Sequence, residues 1–352
     1  MSKLKVFGAA VVLGLCCAVN VAMAGESKTV VIRAGDGGMS PDSSGVVQPH
    51  YFANKVSDLS GGRIKVEVFD HAVLGDEVQM VQQIQEGTLQ MDFISTGNLT
   101  TRVPELSVFA MPYMFGNFKD GYRLQDKGWD AINNWSIKHA GLRVIAQECM
   151  GFRALFNTKR PINSPQDMKG MIWRAVPDPV DIATWKAWGV AATAVPWTEA
   201  FNALSQGVIN GGANPFDDIV TARFYEVAHY ITPIHASLLC HVLVIGQPFF
   251  ASLSKQDQDI LVTAGRDATK YIRAWTVDHQ QHQLKFLEKY KGMHINKPSD
   301  EADFRRLTVN TWPSFYKTVG AGDADRGSQI VNEAAAIVKG ERAAFSPKVL
   351  LH

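Results

Sequence analysis

The chain has few cysteines and almost no charge imbalance, and both features exclude classes of protein. Four cysteines in 352 residues exclude a small-domain scaffold held together by many disulfides. Lys and Arg number 35 against 34 Asp and Glu, so the basic excess typical of nucleic-acid-binding proteins is missing. The chain is 46% hydrophobic and 20% charged, which is ordinary for a globular protein and excludes intrinsic disorder. Its length predicts two domains.

Long apolar runs are also scarce, and the one that stands out is at the N-terminus. Two lysines precede an apolar run over residues 6–19, and Ala22-Met23-Ala24 follows it. This pattern predicts a secretory signal peptide over 1–24, cleaved after Ala24. The run is shorter than the roughly 20 residues that span a membrane, so a membrane anchor is rejected. A lipoprotein signal at Cys16 is the weaker alternative, because Leu15 stands where a small residue is expected. We therefore predict an exported, periplasmic protein.

Removal of the signal peptide leaves two cysteines, Cys149 and Cys240. Cys149 follows one predicted strand and Cys240 precedes another. In an exported chain two cysteines can pair. The sequence leaves open whether they form a disulfide or are two buried thiols.

Strands and helices alternate along the chain. Strands over 29–34, 64–69 and 91–95 are separated by helices over 45–59 and 77–86. Further strands are predicted over 142–147, 153–157, 171–176 and 241–246, and a further helix over 198–204. This alternation predicts βαβ units in an open α/β sheet. A helix over 254–290 would be about 55 Å long, longer than one of two compact domains, so we expect it to lie along both.

Motifs of nucleotide-binding, hydrolytic and metal-dependent enzymes are missing. No P-loop, HExxH, GxSxG or CxxC pattern occurs. The remaining candidates have plainer interpretations: a polar helix face for His279 and His282, a buried thiol beside His241 for Cys240, and a helix start for Asp217 and Asp218. We therefore predict no catalytic residues, no cofactor and no metal, and a protein that is not an enzyme.

Many short motifs instead follow one another in a specific order. They include Gly61-Gly62-Arg63-Ile64, Phe109-Ala110-Met111-Pro112-Tyr113, Gly151-Phe152-Arg153, Asp167-Met168-Lys169-Gly170, Trp173-Arg174, Val195-Pro196-Trp197-Thr198-Glu199, Asn214-Pro215 and Phe224-Tyr225-Glu226-Val227. Together they resemble the DctP-like solute-binding proteins of TRAP (tripartite ATP-independent periplasmic) transporters. The resemblance covers essentially the whole chain after residue 24.

The resemblance implies a two-domain periplasmic binding protein fold of the α/β class, hinge-linked, with a long helix spanning both domains. Domain I would hold residues 25–150 plus 240–280. Domain II would hold residues 151–239 plus 281–352. The ligand would lie in the cleft between the domains, which close over it by hinge motion.

The resemblance also implies a ligand site on domain II. Arg174 matches the family arginine that binds the ligand carboxylate, and a guanidinium offers two parallel donors to such a group. Asn214 matches an asparagine that donates to the same carboxylate, and Arg153 a second arginine that reaches the ligand in many members. Trp197 matches an aromatic that packs on the ligand, or it belongs to the core. Trp173 should point away from the ligand, because neighbours on a strand face opposite ways.

Domain I would bind the far end of the ligand through the residues that follow its strands. The candidates are Asp36, Gly37, Ser95, Thr96 and Asn98. Asp36 would either accept hydrogen bonds from the ligand or cap the helix near Gly45. One departure from the family pattern affects the opposite wall: Ile209-Asn210-Gly211-Gly212-Ala213-Asn214-Pro215 lacks the acidic residue and the carboxamide of Val-Asp-Gly-Gln-Glu-Asn-Pro.

The implied function is capture of an organic acid and its delivery to the membrane subunits of a TRAP permease. The protein would act as a monomer, without nucleic acid. Sugar acids, hydroxy or keto acids and C4-dicarboxylates stay open as ligands. A chemosensory binder with the same cleft is the alternative, and a secreted hydrolase is a weaker one.

Overall fold

A computed structural model describes residues 29–351, and a mixed β-sheet runs through its centre. The predicted signal peptide over 1–24 therefore lies outside the described residues. The strands of the described part are β1 (Val30–Asp36), β2 (Ile64–Phe69), β3 (Met91–Ser95), β4 (Leu142–Asn157), β5 (Ile172–Ala175), β6 (Ala191–Ala194), β7 (Gly211–Asn214), β8 (Tyr230–Gly246) and β9 (His294–Ile295).

The order of strands across the sheet is β2-β1-β3-β8-β4-β7-β5-β6, and β9 pairs with one end of β8. We call β2, β1 and β3 the first half of the sheet, and β7, β5 and β6 the second half. Strands within each half are parallel, whereas β8 and β4 run antiparallel to their neighbours in the centre. The α/β class is thus confirmed.

Helices cover both faces of this sheet. They are α1 (Ser44–Ser60), α2 (Glu77–Glu86), α3 (Thr96–Leu99), α4 (Phe118–Lys127), α5 (Trp129–Ala140), α6 (Pro179–Ala187), α7 (Ala200–Ser205), α8 (Phe216–Thr221), α9 (Gln247–Ser252), α10 (Lys255–Lys289), α11 (Glu301–Val309), α12 (Trp312–Val319), α13 (Ala324–Lys339) and α14 (Pro347–Leu351). Among the residues described, no helix combines the length and the apolar character needed to cross a membrane.

The two central strands, β4 and β8, connect the halves of the sheet. The sequence analysis predicted separate strands over 142–147 and 153–157, and this was wrong: β4 is continuous over 16 residues. The predicted strand over 241–246 is likewise only the end of β8, which has 17 residues. Three irregularities in the β4–β8 register bend the pair where it passes between the halves.

The long helix α10 is confirmed and has 35 residues. Its first turns contribute Leu261 to the core beneath β1 and β3. Its last turns contribute Leu287 to the core that holds Phe156 of β4 and Ile219 of α8. Gly265 allows the close approach, because a Cβ there would lie 2.1 Å from the backbone oxygen of Ile145. The helix therefore braces both halves of the sheet.

A disulfide joins Cys149 to Cys240. The two residues are direct partners in the β4–β8 register. This answers the question that the sequence left open, and Cys240 is not a free thiol. The disulfide fastens the two connecting strands to each other near the middle of the sheet.

The C-terminal helices pack on the same apolar core as α5. Phe345, ahead of α14, packs edge-on against Trp135 of α5 at a centroid distance of 5.2 Å. Ile330 and Val331 of α13 belong to the same apolar core. The predicted domain division, 25–150 plus 240–280 and 151–239 plus 281–352, stays a prediction.

Candidate functional site

A cavity lies where the carboxyl ends of the strands of both halves meet. Gly37, Glu77 and Asn98 line it from the first half, and Arg174, Trp197 and Asn214 from the second. A second cavity continues from it along Glu77, Arg174 and Trp197. In open α/β sheets ligands bind outside the carboxyl ends of the strands. We refer to these two cavities together as the cleft.

Arg174 is a buried cation at the centre of the cleft. It lies on β5, is 6% exposed, and donates from Nε to the carbonyl oxygen of Val195 at 3.0 Å. Burial and the positive charge of Arg153 lower the pKa of Arg174 to about 10, so the guanidinium stays charged at neutral pH. The Nε bond fixes the plane of the guanidinium, while its two terminal nitrogens make no hydrogen bond to any described residue. Such a pair of nitrogens offers two parallel donors that match the two oxygens of a carboxylate.

Trp197 bridges the two halves across the cleft. Its indole Nε1 donates to the carbonyl oxygen of Gly37, which follows β1, at 3.0 Å. The guanidinium carbon of Arg174 lies 5.5 Å from its ring centroid, within the range of a cation–π contact. The ring also packs edge-on against Phe224. Trp197 thus belongs both to the wall of the cleft and to the core behind it.

Arg153 reaches the cleft from the middle of β4. Its Nη1 donates to the carbonyl oxygen of Ala213 at 2.9 Å, and the side chain lines the cavity beside Arg174. His241 of β8 faces the same cavity, and burial together with the charge of Arg153 lowers the pKa of His241 to about 3. The imidazole is therefore neutral and adds no charge beside the two arginines.

Asn214 ends β7 and is paired with a carboxylate. Its Nδ2 donates to Oδ2 of Asp218 at 2.6 Å, and its Oδ1 has no hydrogen-bond partner among the described residues. Burial, followed by the charge of Asp217, raises the pKa of Asp218 to about 7. Asp217 and Asp218 lie in the first turn of α8, so the predicted helix start is confirmed. Asp218 nevertheless lines the cleft as well.

Glu77 is a cleft residue that the sequence analysis missed. It is the first residue of α2, and its Oε2 accepts hydrogen bonds from the Ser95 backbone N–H at 3.0 Å and from Nδ2 of Asn98 at 2.7 Å. Burial raises the pKa of Glu77, and the two hydrogen bonds and the charge of Arg174 oppose that shift. An acidic residue in the first turn of a helix is common, so no sequence pattern indicates that Glu77 faces Arg174.

The family of the chain follows from a direct match. The family model for bacterial extracellular solute-binding proteins, family 7 (DctP), matches residues 39–318. The chain belongs to this family. A solute-binding protein from Verminephrobacter eiseniae is 31% identical over 271 residues, which cover 76% of this chain and 80% of that protein. The predicted resemblance to DctP-like proteins is confirmed.

Solved structures of two binding proteins share the fold. The sugar acid binding protein DctPAm from Advenella mimigardefordensis, in complex with galactonate, matches with a TM-score of 0.83 and 26% identity, covering 90% of this chain and 99% of that one. A TRAP periplasmic solute-binding protein from Roseobacter denitrificans with bound L-galactonate matches with a TM-score of 0.77 and 28% identity, covering 82% and 94%. The expected two-domain periplasmic binding protein fold with a long helix is confirmed.

Two candidate residues on the side of the first half of the sheet, Asp36 and Thr96, lie beside the cleft rather than on its wall. Asp36 is fully buried and accepts from the backbone N–H of Gly38 at 2.7 Å. It does not cap α1, whose N-cap is Ser43. Burial and Asp70 raise the pKa of Asp36 to about 9, so it is neutral at pH 7. Thr96 donates to the carbonyl oxygen of Cys240 and lines a smaller adjoining cavity.

Trp173 lies where the sequence predicts, whereas His279 does not. Trp173 is fully buried and stacks on Trp185, so it points away from the cleft as expected. The prediction that His279 lies on a solvated polar face was wrong. Its Nε2 lies 3.0 Å from Oδ1 of Asp217, and its ring stacks on Trp275. Within residues 29–351, no three His, Cys, Asp or Glu side chains are grouped to hold a metal ion.

Proposed function

We propose that this family 7 protein captures an organic acid by its carboxylate in the cleft and delivers it to the membrane subunits of a TRAP permease. The observation that carries the proposal is the state of Arg174. Its guanidinium is buried, charged and oriented by Val195, and its two terminal nitrogens make no hydrogen bond within residues 29–351. Leaving such a group without an anion is costly, so a carboxylate ligand stabilises the site.

We propose that the other cleft residues contact the rest of the ligand. Arg153 and Asn214 lie beside Arg174 and would contact oxygen atoms near the carboxylate. Asn98 and Glu77 face them from the first half, and their oxygens suit hydroxyl donors. Trp197 would cover the ligand when the halves close. The galactonate complexes of two structural neighbours support a sugar acid as the first ligand to test.

Calorimetric titration of the protein after unfolding, dialysis and refolding tests this proposal. The panel comprises galactonate, glucuronate, succinate and an aromatic acid, with the matching amides as controls. We expect at least one acid to bind, and its amide to bind at least tenfold more weakly. Arg174→Ala should abolish binding, and Arg174→Lys should weaken it at least tenfold, because lysine keeps the charge but loses the planar pair of donors.

Arg266→Lys is the matched control, since Arg266 is exposed on α10 outside the cleft. It should bind as the wild type does. Binding that survives Arg174→Ala would contradict the proposed site. An acid recovered from the complex in altered form would favour the hydrolase alternative. Binding of the liganded protein to a membrane sensor would favour the chemosensory alternative.

We also propose that the chain is exported, cleaved after Ala24, and monomeric in the periplasm. The family of periplasmic solute-binding proteins supports export. Intact-mass measurement of the protein from the periplasmic fraction tests the cleavage position. Light scattering of the purified protein tests the monomer, and a mass twice the chain's would contradict it.

A further inference from the structure

The side chains of Asn214 and Asp218 form a buried pair at the wall of the cleft. Asn214 is 3% exposed and Asp218 is 8% exposed. A carboxamide has two different ends, because its nitrogen donates two hydrogen bonds and its oxygen only accepts them. One N–H of the Asn214 nitrogen donates to Asp218 at 2.6 Å, and the amide oxygen is buried without a partner among the described residues.

The protonation state of Asp218 decides which end of the amide can face it. An ionised carboxylate only accepts, so it must meet the amide nitrogen, and the amide oxygen is then left for the cleft. A protonated Asp218 can donate to the amide oxygen, and a half-turn of the amide then presents its nitrogen to the cleft. The first arrangement suits a ligand hydroxyl, and the second suits a ligand carboxylate.

Both states of Asp218 are accessible near neutral pH. Burial and the charge of Asp217 raise the pKa of Asp218 to about 7, against the opposing effects of Asn214, Arg153 and Arg174. The charged and titratable groups around the pair come from five elements: Asp217 on α8, Arg153 and Glu148 on β4, Arg174 on β5, His241 on β8 and Glu77 on α2. His279 of α10 contacts Oδ1 of Asp217, the neighbour of the pair.

We propose that Asp218 controls which end of the Asn214 amide faces the cleft, so that a ligand carboxylate at Asn214 is bound with uptake of one proton and a ligand hydroxyl is bound without it. Asp218 is then a positioning residue that selects between ligand groups without contacting the carboxylate itself. The inference rests on the proposed function only in placing the ligand in this cleft.

The test follows the side-chain amide signals of Asn214 by 15N-edited NMR between pH 5 and 9, in the absence of ligand. The signals are assigned by their loss in Asn214→Ala. We expect them to shift with a single midpoint near pH 7 in the wild type. Asp218→Asn has nearly the same shape but does not ionise, so the shift should disappear. Asp278→Asn, an exposed site on α10, should leave it unchanged.

A second variant keeps the test decisive if Asp218→Asn does not fold. Asp217→Asn removes the neighbouring negative charge, so the midpoint should move to lower pH. Signals of Asn214 that stay constant over the whole range in the wild type would overturn the proposal. So would a titration that persists unchanged in Asp218→Asn.

Calorimetry with galactonate and succinate on the same samples separates this inference from the proposed function. If neither these acids nor the other acids of the panel bind, but Asn214 titrates as expected, the proposed function fails and the pairing of Asn214 with Asp218 stands. If an acid binds through Arg174 but Asn214 does not titrate, the proposed function stands and this inference fails.

Discussion

At the scale of single residues, the sequence analysis found the cations of the cleft but not its anions. Arg174 and Arg153 stand in motifs that the family resemblance identifies, and the structure places both on one cavity. Glu77 and Asp218 lie in first turns of helices, where acidic residues are common for a local reason. Their second role arises only because the fold brings α2 and α8 to opposite walls of the cleft, and spacing along the chain does not reveal that.

The hydrogen bond from Trp197 to Gly37 should contribute to ligand affinity, because it joins the two walls of the cleft. Trp197→Phe keeps an aromatic ring near Arg174 but loses the Nε1 donor to Gly37. One hydrogen bond contributes about 0.5–1.5 kcal/mol, so ligand affinity should fall by about two- to tenfold. Titration calorimetry measures the loss. Trp312→Phe is the control, because Trp312 donates to Pro112 outside the cleft, and it should leave affinity unchanged. An affinity loss of similar size in both variants would argue against a role specific to the cleft.

Glu148 makes folding stability depend on pH. The carboxyl group is fully buried on β4 and accepts from the Ser44 hydroxyl at 2.9 Å. Burial raises the pKa of Glu148 to about 8, whereas the pKa in the unfolded chain is about 4.3. Between these values the folded state binds one proton more than the unfolded state. Its contribution to stability is therefore present at low pH and is lost as pH rises towards 8, at up to about 1.4 kcal/mol per pH unit.

Glu148→Gln, which has the shape of the neutral acid, should remove this dependence. Urea unfolding at pH 5.5, 6.5 and 7.5 should show a shallower fall in the free energy of unfolding than in the wild type. Glu67→Gln, at an exposed position on β2, should retain the wild-type slope. Parallel slopes in Glu148→Gln and the wild type would show that Glu148 is ionised in the folded protein.

At the scale of elements, local patterns predicted most of the strands, but they missed the short strands β6, β7 and β9 and the length of the two central strands. The segment between the predicted strands over 142–147 and 153–157 contains Met150-Gly151, and glycine weakens a local strand pattern. In the structure it lies inside β4, next to an irregularity in the register with β8. Backbone pairing with a strand about 90 residues away maintains the strand there. The same register brings Cys149 opposite Cys240, which no local pattern could establish.

The disulfide between β4 and β8 should contribute strongly to stability. It closes a sequence separation of 91 residues, and cross-links of that span contribute about 2–5 kcal/mol by restricting the unfolded chain. Cys149→Ala with Cys240→Ala should lower the free energy of unfolding by that amount, as measured by urea denaturation. Reduction of the wild type should give a similar loss, and reduction of the double variant should give none. A double variant as stable as the oxidised wild type would contradict this expectation.

At the scale of the whole molecule, we expect hydrogen bonds between the two walls of the cleft to set how readily it closes. Oδ2 of Asp217 on α8 accepts from the backbone N–H of Ser44, at the start of α1, at 3.1 Å. The N-terminus of a helix favours a negative charge, and His279 lies on the other carboxylate oxygen. Trp197 and Gly37 make a second contact across the same cleft. Under the proposed function, a carboxylate bound by Arg174 should add to these contacts and shift the population towards the closed state.

Asp217→Ala should therefore weaken ligand binding although Asp217 does not line the cavity. It removes the hydrogen bond to Ser44, so a larger fraction of unliganded molecules is open. The apparent affinity then falls in proportion to the decrease in the closed fraction. Small-angle scattering should show a larger radius of gyration for the unliganded variant than for the wild type, and a decrease to the same value when both are saturated with the acid. Asp217→Asn keeps an acceptor for the Ser44 N–H and should lie between the two. A variant that binds as the wild type does, with the same unliganded radius, would mean that closure does not depend on this contact.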